Sequence, residues 1–503
     1  MIEEKILIRI LFYLLNSRKI QLFIMEVKTV QFGKIIILPL ALMVLVSEMI
    51  SATPINGTSA NQDLPNIIFI MADDLGYSDI NSFDPLSRTF YETPNIDRLA
   101  EGGMRFLHAY TNGANCAPTR AALISGQYYP NQPIYHVGNS GTGAMIPAEN
   151  AHELPLEKIT HAEMLKKAGY QTALIGKWHL GDPPEFGPQE QGFDINVGGY
   201  NAGNPGVWEG GYFEPNNNPF ITDSFDGEYL TDYKTRKAIE FITDNKDERF
   251  YLNLSLYTPH TPLQAPEHLV EKYKQKSPDR GHYNATYAAM IESMDTNIGK
   301  IMETLEALGL EENTIVIFYS DNGGQGGYEY LGREDHNITD NSPLKGGKST
   351  FYEGGLRVPM IVRWPSVVVP GSVSHEPVLS IDFYPTYLEV SGLDQPENYK
   401  LDGLSFLPVL KKPDHSLNRE ALYWHFPGYP NVTWRTTPVS VIRAGEWKLM
   451  KFYETNTVEL YNVIEDEGEE NDLSETMPEK RVELQQKLEK WLEGQNAPLP
   501  RWP

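Results

Sequence analysis

The sequence predicts an α/β fold: a large, mostly parallel sheet sandwiched by helices over residues 53–374, with a smaller C-terminal α+β subdomain over 375–503. Three observations carry this expectation. Apolar runs of strand length recur and each ends in polar residues, helix-period patterns lie between them, and the texture shifts to shorter segments after about residue 375.

The runs are "NIIFIMADD" (66–74), "TALIGKWH" (172–179), "FYLNLSLYTPH" (250–260) and "TIVIFYSDNGG" (314–324). Too short for independent helices and apolar throughout, they read as strands buried on both faces. Helical patterns between them include "TPNIDRLAEGGMRF" and the long "ATYAAMIESMDTNIGKIMETLEALG". In the latter, Ala288, Ile291, Met294, Ile298, Ile301 and Leu305 recur at spacings of three and four. Residues 198–220, "GGYNAGNPGVWEGGYFEPNNNPF", form a long Gly/Asn/aromatic loop of a kind that borders binding clefts. Beyond 375, "ALYWHF", "SVIRAGEWKLMKF" and "VELYNVI" read as short strands, and "EDEGEEND" as a solvated acidic turn. The final helix, "PEKRVELQQKLEKWLEG", places Leu484, Leu488, Trp491 and Leu492 on one face.

Hydrophobic residues make up 41% of the chain and charged residues 22%, an ordinary globular balance. A net charge of -25 disfavours nucleic acid as a partner. It would also repel a polyanion at long range, so any anion site must carry local cations. Near the amino terminus, "GKIIILPLALMVLVSEMISA" has a basic flank at Lys34, an apolar run from Ile35 to Val46, and small residues Ser51 and Ala52. This is the grammar of a signal peptide over residues 1–52, with Met25 as an alternative start and an uncleaved anchor as the second reading. The run falls short of the roughly 20 residues that span a bilayer. The expectation is an exported protein, periplasmic or secreted, or lysosomal or extracellular in a eukaryote. A single cysteine, Cys116, leaves no internal disulfide, and the odd thiol needs a reason. Asn-x-Ser/Thr matches begin at Asn56, Asn253, Asn284, Asn337 and Asn431, of which Asn253 lies in an expected buried strand and should be unmodifiable.

In parallel α/β sheets, ligands sit beyond the carboxyl ends of the strands. Asp73 and Asp74, Lys177 and His179, His260, and Asp321 and Asn322 end the four runs and should therefore converge. Three carboxylates and an amide oxygen, without clustered imidazoles or thiolates, suit calcium or magnesium better than zinc.

"CAPTRAALISG" resembles the signature of type I sulfatases, Cys-x-Pro-Ser/Thr-Arg followed by x-x-Leu-x-Thr-Gly, with Ser125 where Thr is usual. The likeness extends in family order through "NIIFIMADDLGYSD", "AGYQTALIGKWHLG", "YTPHTPLQAP", "YSDNGG", "NSPLKGGKSTFYEGGLRVPMIVRWP" and "ELYNVIEDEGEENDL". It implies an alkaline phosphatase-like fold and hydrolysis of sulfate monoesters. Export and the aromatic loop make a sulfated carbohydrate or polysaccharide the expected substrate.

In that family a formylglycine-generating enzyme oxidises the cysteine to Cα-formylglycine before folding. The hydrate of this aldehyde attacks sulfur with one hydroxyl, and the other loses a proton to expel sulfate. By position, Asp73, Asp74, Asp321 and Asn322 match the ligands of one calcium ion, completed by converted Cys116. The resemblance assigns Arg120 to steadying the diol, Lys177 and Lys348 to sulfate, His179 to assisting the diol, and His260, as an imidazolium, to protonating the leaving oxygen. Pro118 and Gly126 read as backbone devices, and "EGGLRVP" as packing near Lys348. A phosphomonoester or phosphonate monoester hydrolase of the same superfamily stays open as an alternative. So does a non-catalytic glycan-binding relative, although the presence of Cys116, Arg120 and Lys348 speaks against it.

Overall fold

The four apolar runs become four adjacent strands of one sheet. The computed structural model describes residues 9–16, 19–26, 64–432 and 434–503; most of the segment read as a signal peptide, and Asn56, lie outside the described residues. As a unit of its own, β1 (Arg9–Asn16) pairs antiparallel with β2 (Lys19–Glu26). Among the described residues, no helix is long and apolar enough to cross a membrane.

The main sheet takes β3 (Asn66–Ala72), β4 (Met104–Phe106), β6 (Gln171–Gly176), β7 (Ile195–Val197), β8 (Phe250–Ser255), β9 (Thr314–Ser320), β10 (Met360–Arg363) and β11 (Ser372–Ser374). Beside it, β5 (Ala109–Tyr110) pairs with β12 (Val378–Leu379). The order is β11-β4-β10-β9-β3-β8-β6-β7, and β10 alone runs against its neighbours. Central β3 aligns Phe69 with Ile317 of β9 and Asn253 of β8. Every residue of β3, β8 and β9 is buried, Asn253 included, because helices cover both faces.

Alternate residues of β3 feed two cores. Ile68 and Ile70 join Ala288, Ile291, Met294 and Ile298 of the helix Ala285–Leu308. Ile67, Phe69 and Met71 join Ala117 and Ala121 of the helix Cys116–Ser125 and Phe383 of the helix Phe383–Ser391. The stretch "TPNIDRLAEGGMRF" is corrected. It is helical only over Pro94–Glu101, and Met104–Phe106 forms β4. A Cβ on Gly103 would lie 2.7 Å from the Val362 carbonyl oxygen, so this backbone approach to β10 ends the helix and begins strand pairing.

The C-terminal strands β13 (Leu422–Phe426), β14 (Val439–Ala444), β15 (Trp447–Phe452) and β16 (Thr457–Asn462) form an antiparallel sheet in chain order. The helix Pro478–Gly494 buries Leu484, Leu488 and Leu492 against Ile442, Leu449 and Leu460. Its Trp491 stacks on Tyr423, with ring centroids 4.6 Å apart.

The acidic segment differs from the expected solvated turn. Glu469 is buried, with its carboxylate 2.8 Å from Lys448 Nζ, which lies 3.0 Å from Glu353 of "EGGLRVP". Burial opposes the charge on Glu353, but Lys448, Arg443 and Arg357 hold it down to about 2. Burial pushes Glu469 up to about 7 despite Lys448. Lys448→Met would leave two buried carboxyl groups without their cation. Breaking a buried pair in this way costs about 3–5 kcal/mol, so the urea midpoint should drop, and an unchanged midpoint would contradict the clasp. Folded Glu469 also keeps its proton to about 7, against 4.5 ordinarily. Its contribution to stability therefore declines as pH rises through that window. Glu469→Gln should flatten this slope in denaturation measured between those limits.

Candidate active site

The carboxyl ends of β3, β6, β8 and β9 deliver Asp73 and Asp74, Lys177 and His179, His260, and Asp321 and Asn322 to one place. Cys116 opens the helix Cys116–Ser125, with Arg120 one turn along, and Lys348 arrives on the loop between β9 and β10. Gly126 ends that helix at a φ of 68°, the left-handed conformation a glycine cap adopts freely. Pro118 packs where a Cβ on Gly113 would sit 2.8 Å from its ring.

Each buried carboxylate has its own cation. Asp73 Oδ2 lies 2.6 Å from Lys177 Nζ, Asp74 Oδ2 2.6 Å from Lys348 Nζ, and Asp321 Oδ2 2.7 Å from Arg120 Nη2. Arg120 also donates from Nε to Asp321 at 3.0 Å, and from Nη1 to the Lys177 carbonyl at 3.1 Å and the Ser255 hydroxyl at 2.5 Å. Arg120 thus ties three strand ends together. Asp74 sits at φ 65° and His179 at φ 64°, a left-handed conformation costing non-glycine residues about 1–3 kcal/mol. The Asp74 backbone is held by donating its N–H to Asp321 Oδ1 at 3.2 Å, and its Oδ1 accepts from Asn322 Nδ2 at 2.8 Å.

The oxygens left over describe a cation site. Asp73 Oδ1 and Asn322 Oδ1 are buried without a hydrogen-bond partner. Ligand atoms of Asp73, Cys116 and Asp321 lie within 4.8 Å of one another, as do those of Asp73, Asp74 and His260. Orphaned carboxylate and amide oxygens at the ends of neighbouring strands fit a hard divalent ion such as calcium. Burial and neighbouring Asp321 push Asp73 up to about 8 against the pull of Lys177. Burial opposes the charge on Asp74, but the Lys348 ammonium and the Asn322 amide hold it below the usual carboxylate range. Burial raises the Cys116 thiol, offset by Lys177 and Lys348.

His260 Nδ1 lies 2.6 Å from the Thr261 carbonyl, and its Nε2 lies 2.9 Å from the Lys348 ammonium and 3.4 Å from Asp74 Oδ2. Toward these two neighbours, Nδ1 donates to the carbonyl and Nε2 accepts from Lys348. Burial holds His260 down to about 3 despite Asp74, in keeping with that tautomer. Burial, then Lys177 and Arg120, hold His179 well below its ordinary value, and its Nδ1 has no partner.

The loop 198–220 backs the site. A Cβ on Gly203 would lie 2.7 Å from His179 Cε1, and the Tyr212 hydroxyl lies 2.7 Å from the carbonyls of both Tyr257 and His260. Several residues here had no reading in the sequence. Ser255 ends β8 within an apolar run. Asn115 contacts His136 at 3.5 Å and accepts from Ser349 at 2.7 Å. Lys234 is buried with an unpartnered Nζ 3.8 Å over the Tyr257 ring, and burial holds it well below the ordinary lysine value. Lys234 stands four residues from both Leu230 and Ala238 on a buried stripe, a periodicity that would have flagged it.

The sulfatase family matches residues 65–393, and the C-terminal region of N-sulphoglucosamine sulphohydrolase matches residues 347–497. A sulfatase of Formosa agariphila is 34% identical, covering 94% of this chain and 95% of its own. Human N-acetylgalactosamine-6-sulfatase is 33% identical, covering 70% of this chain and 67% of its own. The solved structure of Ps i-CgsB superposes with a TM-score of 0.70 at 31% identity, covering 85% of this chain and 92% of that one; it has also been solved with k-i-k-neocarrahexaose.

Because folded Asp73 holds a proton up to about 8, calcium uptake at pH 7 should release about one proton and tighten as pH rises toward 8. Calorimetry in buffers of different ionisation enthalpy reads this directly; buffer-independent heats would contradict it. Asp321→Ala should weaken calcium binding at least about tenfold, because the remaining carboxylates lose a charged co-ligand.

Proposed function

The chain belongs to the sulfatase family and hydrolyses sulfate esters, and we propose that its substrate is a sulfated carbohydrate met after export. Cys116, oxidised to formylglycine and hydrated, supplies the nucleophilic oxygen. The observation that carries this reading is the charge arrangement around residue 116: three carboxylates, each matched by one cation, at the N-terminus of a buried helix. The helix dipole there favours an anion.

Asp73, Asp74, Asp321 and Asn322 would hold the calcium ion, with residue 116 completing the set; when bound, the ion neutralises oxyanion charge and lowers the pKa of a coordinated hydroxyl. Lys177 and Lys348 offer ammonium groups to the sulfate oxygens. Arg120 keeps Asp321 in place through its paired bonds. His179, with its Nδ1 unpartnered, would take a proton from the diol. His260, beside Lys348 at 2.9 Å, relays a proton to the leaving oxygen. A carbohydrate is favoured by the aromatic loop, by the substrate in the name of N-acetylgalactosamine-6-sulfatase, and by the neocarrahexaose bound to Ps i-CgsB.

Side-by-side kinetics on sulfate and phosphate esters of one sugar test the assignment: the sulfate ester should be the better substrate, and preference for phosphate would reject it. The leaving group tests the proton relay. An alkoxide needs protonation and a nitrophenolate does not, so His260→Ala should slow sugar-sulfate turnover by about 10² to 10⁴ and spare an activated aryl sulfate. Equal losses on both substrates would remove His260 from the relay.

A further inference from the structure

The loop between β13 and β14, residues 427–438, carries a buried arginine without an acid. Arg435 is 8% exposed, and its Nε has no hydrogen-bond partner. Three other buried arginines pair with carboxylates, Arg88 with Asp84, Arg120 with Asp321 and Arg357 with Glu467, while Arg443 bonds the Tyr110 hydroxyl and the Gly445 carbonyl. Arg435 has no such partner among the described residues. Its guanidinium instead lies 4.9 Å from the Tyr328 ring centroid and 5.3 Å from that of Trp434. The aromatic faces hold a weakly hydrated cation in place without neutralising it. Arg333, on the same tryptophan at 4.5 Å, has an acid in Asp335 at 3.5 Å.

The loop connects through Tyr328 to the segment that carries Lys348. The Tyr328 hydroxyl donates to the Lys348 carbonyl at 2.9 Å, so one tyrosine separates Arg435 from the lysine that holds Asp74.

We propose that Arg435 binds a second oxyanion of the saccharide, a sulfate or carboxylate on the same or the adjoining sugar, so that the enzyme selects substrates with more than one anionic group. This rests on the sulfatase reading. The guanidinium fork matches either oxyanion. An uncompensated buried charge is unfavourable until such a group arrives, and a chain of net charge -25 needs local cations to accept a polyanion.

The test uses the metal-loaded enzyme with aldehyde occupancy at residue 116 measured. Four substrates are compared: an aryl sulfate as reference, a monosulfated neutral disaccharide, a disulfated disaccharide, and a monosulfated disaccharide bearing a uronate. Wild type should prefer at least one doubly anionic substrate about tenfold or more in kcat/KM. Arg435→Gln should raise KM for that substrate about 10- to 100-fold, with kcat and the neutral substrates little changed, and Arg435→Lys should recover part of the loss. A loss confined to the disulfated substrate identifies sulfate; one confined to the uronate identifies carboxylate. No preference in wild type, or equal losses on all four substrates, overturns the proposal without any appeal to the variant's folding. Wild type that turns over no sulfate ester fails the sulfatase reading itself, and the proposal with it.

Discussion

The site depends on holding three carboxylates side by side away from water. Asp73, Asp74 and Asp321 are each at most 3% exposed. Alone, buried acids would give up their charge, and together they repel. Lys177, Lys348 and Arg120 offset this one for one, at 2.6 to 2.7 Å. The acids come from the ends of neighbouring strands β3 and β9, while the cations come from the end of β6, a distant loop and a helix. The eight-stranded topology is what lets these segments meet. It also reconciles an acidic chain with an anionic substrate, because the cations of the site offset its acids before any divalent ion adds positive charge.

The same constraint explains features that would otherwise be costly. Asp74 and His179 adopt left-handed backbone conformations at the strand ends, where an extended chain would carry their side chains past the cluster. The Glu353–Lys448–Glu469 clasp joins the antiparallel sheet to the segment just after Lys348. The C-terminal sheet thereby supports the segment that carries Lys348, and its loop sets Arg435 against Tyr328, which bonds the Lys348 carbonyl.

Much of this was legible in the sequence because buried parallel strands announce themselves as apolar runs, and ligands follow their carboxyl ends. The α/β class, the four central strands and the convergence of Asp73, Asp74, Lys177, His260, Asp321 and Asn322 follow from that alone. What periodicity cannot read is side-chain direction. Glu469 looked solvated because its neighbours are acidic, yet a single turn points it inward to Lys448. The helix over "TPNIDRLAEGGMRF" ended early because Gly103 meets the β10 backbone, a tertiary fact. Ser255 and Asn115 are polar residues whose partners lie far along the chain.

The central claim is that residue 116 performs sulfate-ester hydrolysis as an aldehyde hydrate within this balanced charge cluster. The most direct measurement sets the aldehyde fraction at residue 116, from peptide mass spectrometry with a carbonyl-reactive probe, against sulfate-ester turnover across preparations of differing maturation. Turnover should rise in proportion to the aldehyde fraction and extrapolate to zero with it. Full activity in protein whose residue 116 is entirely unmodified thiol would contradict the account.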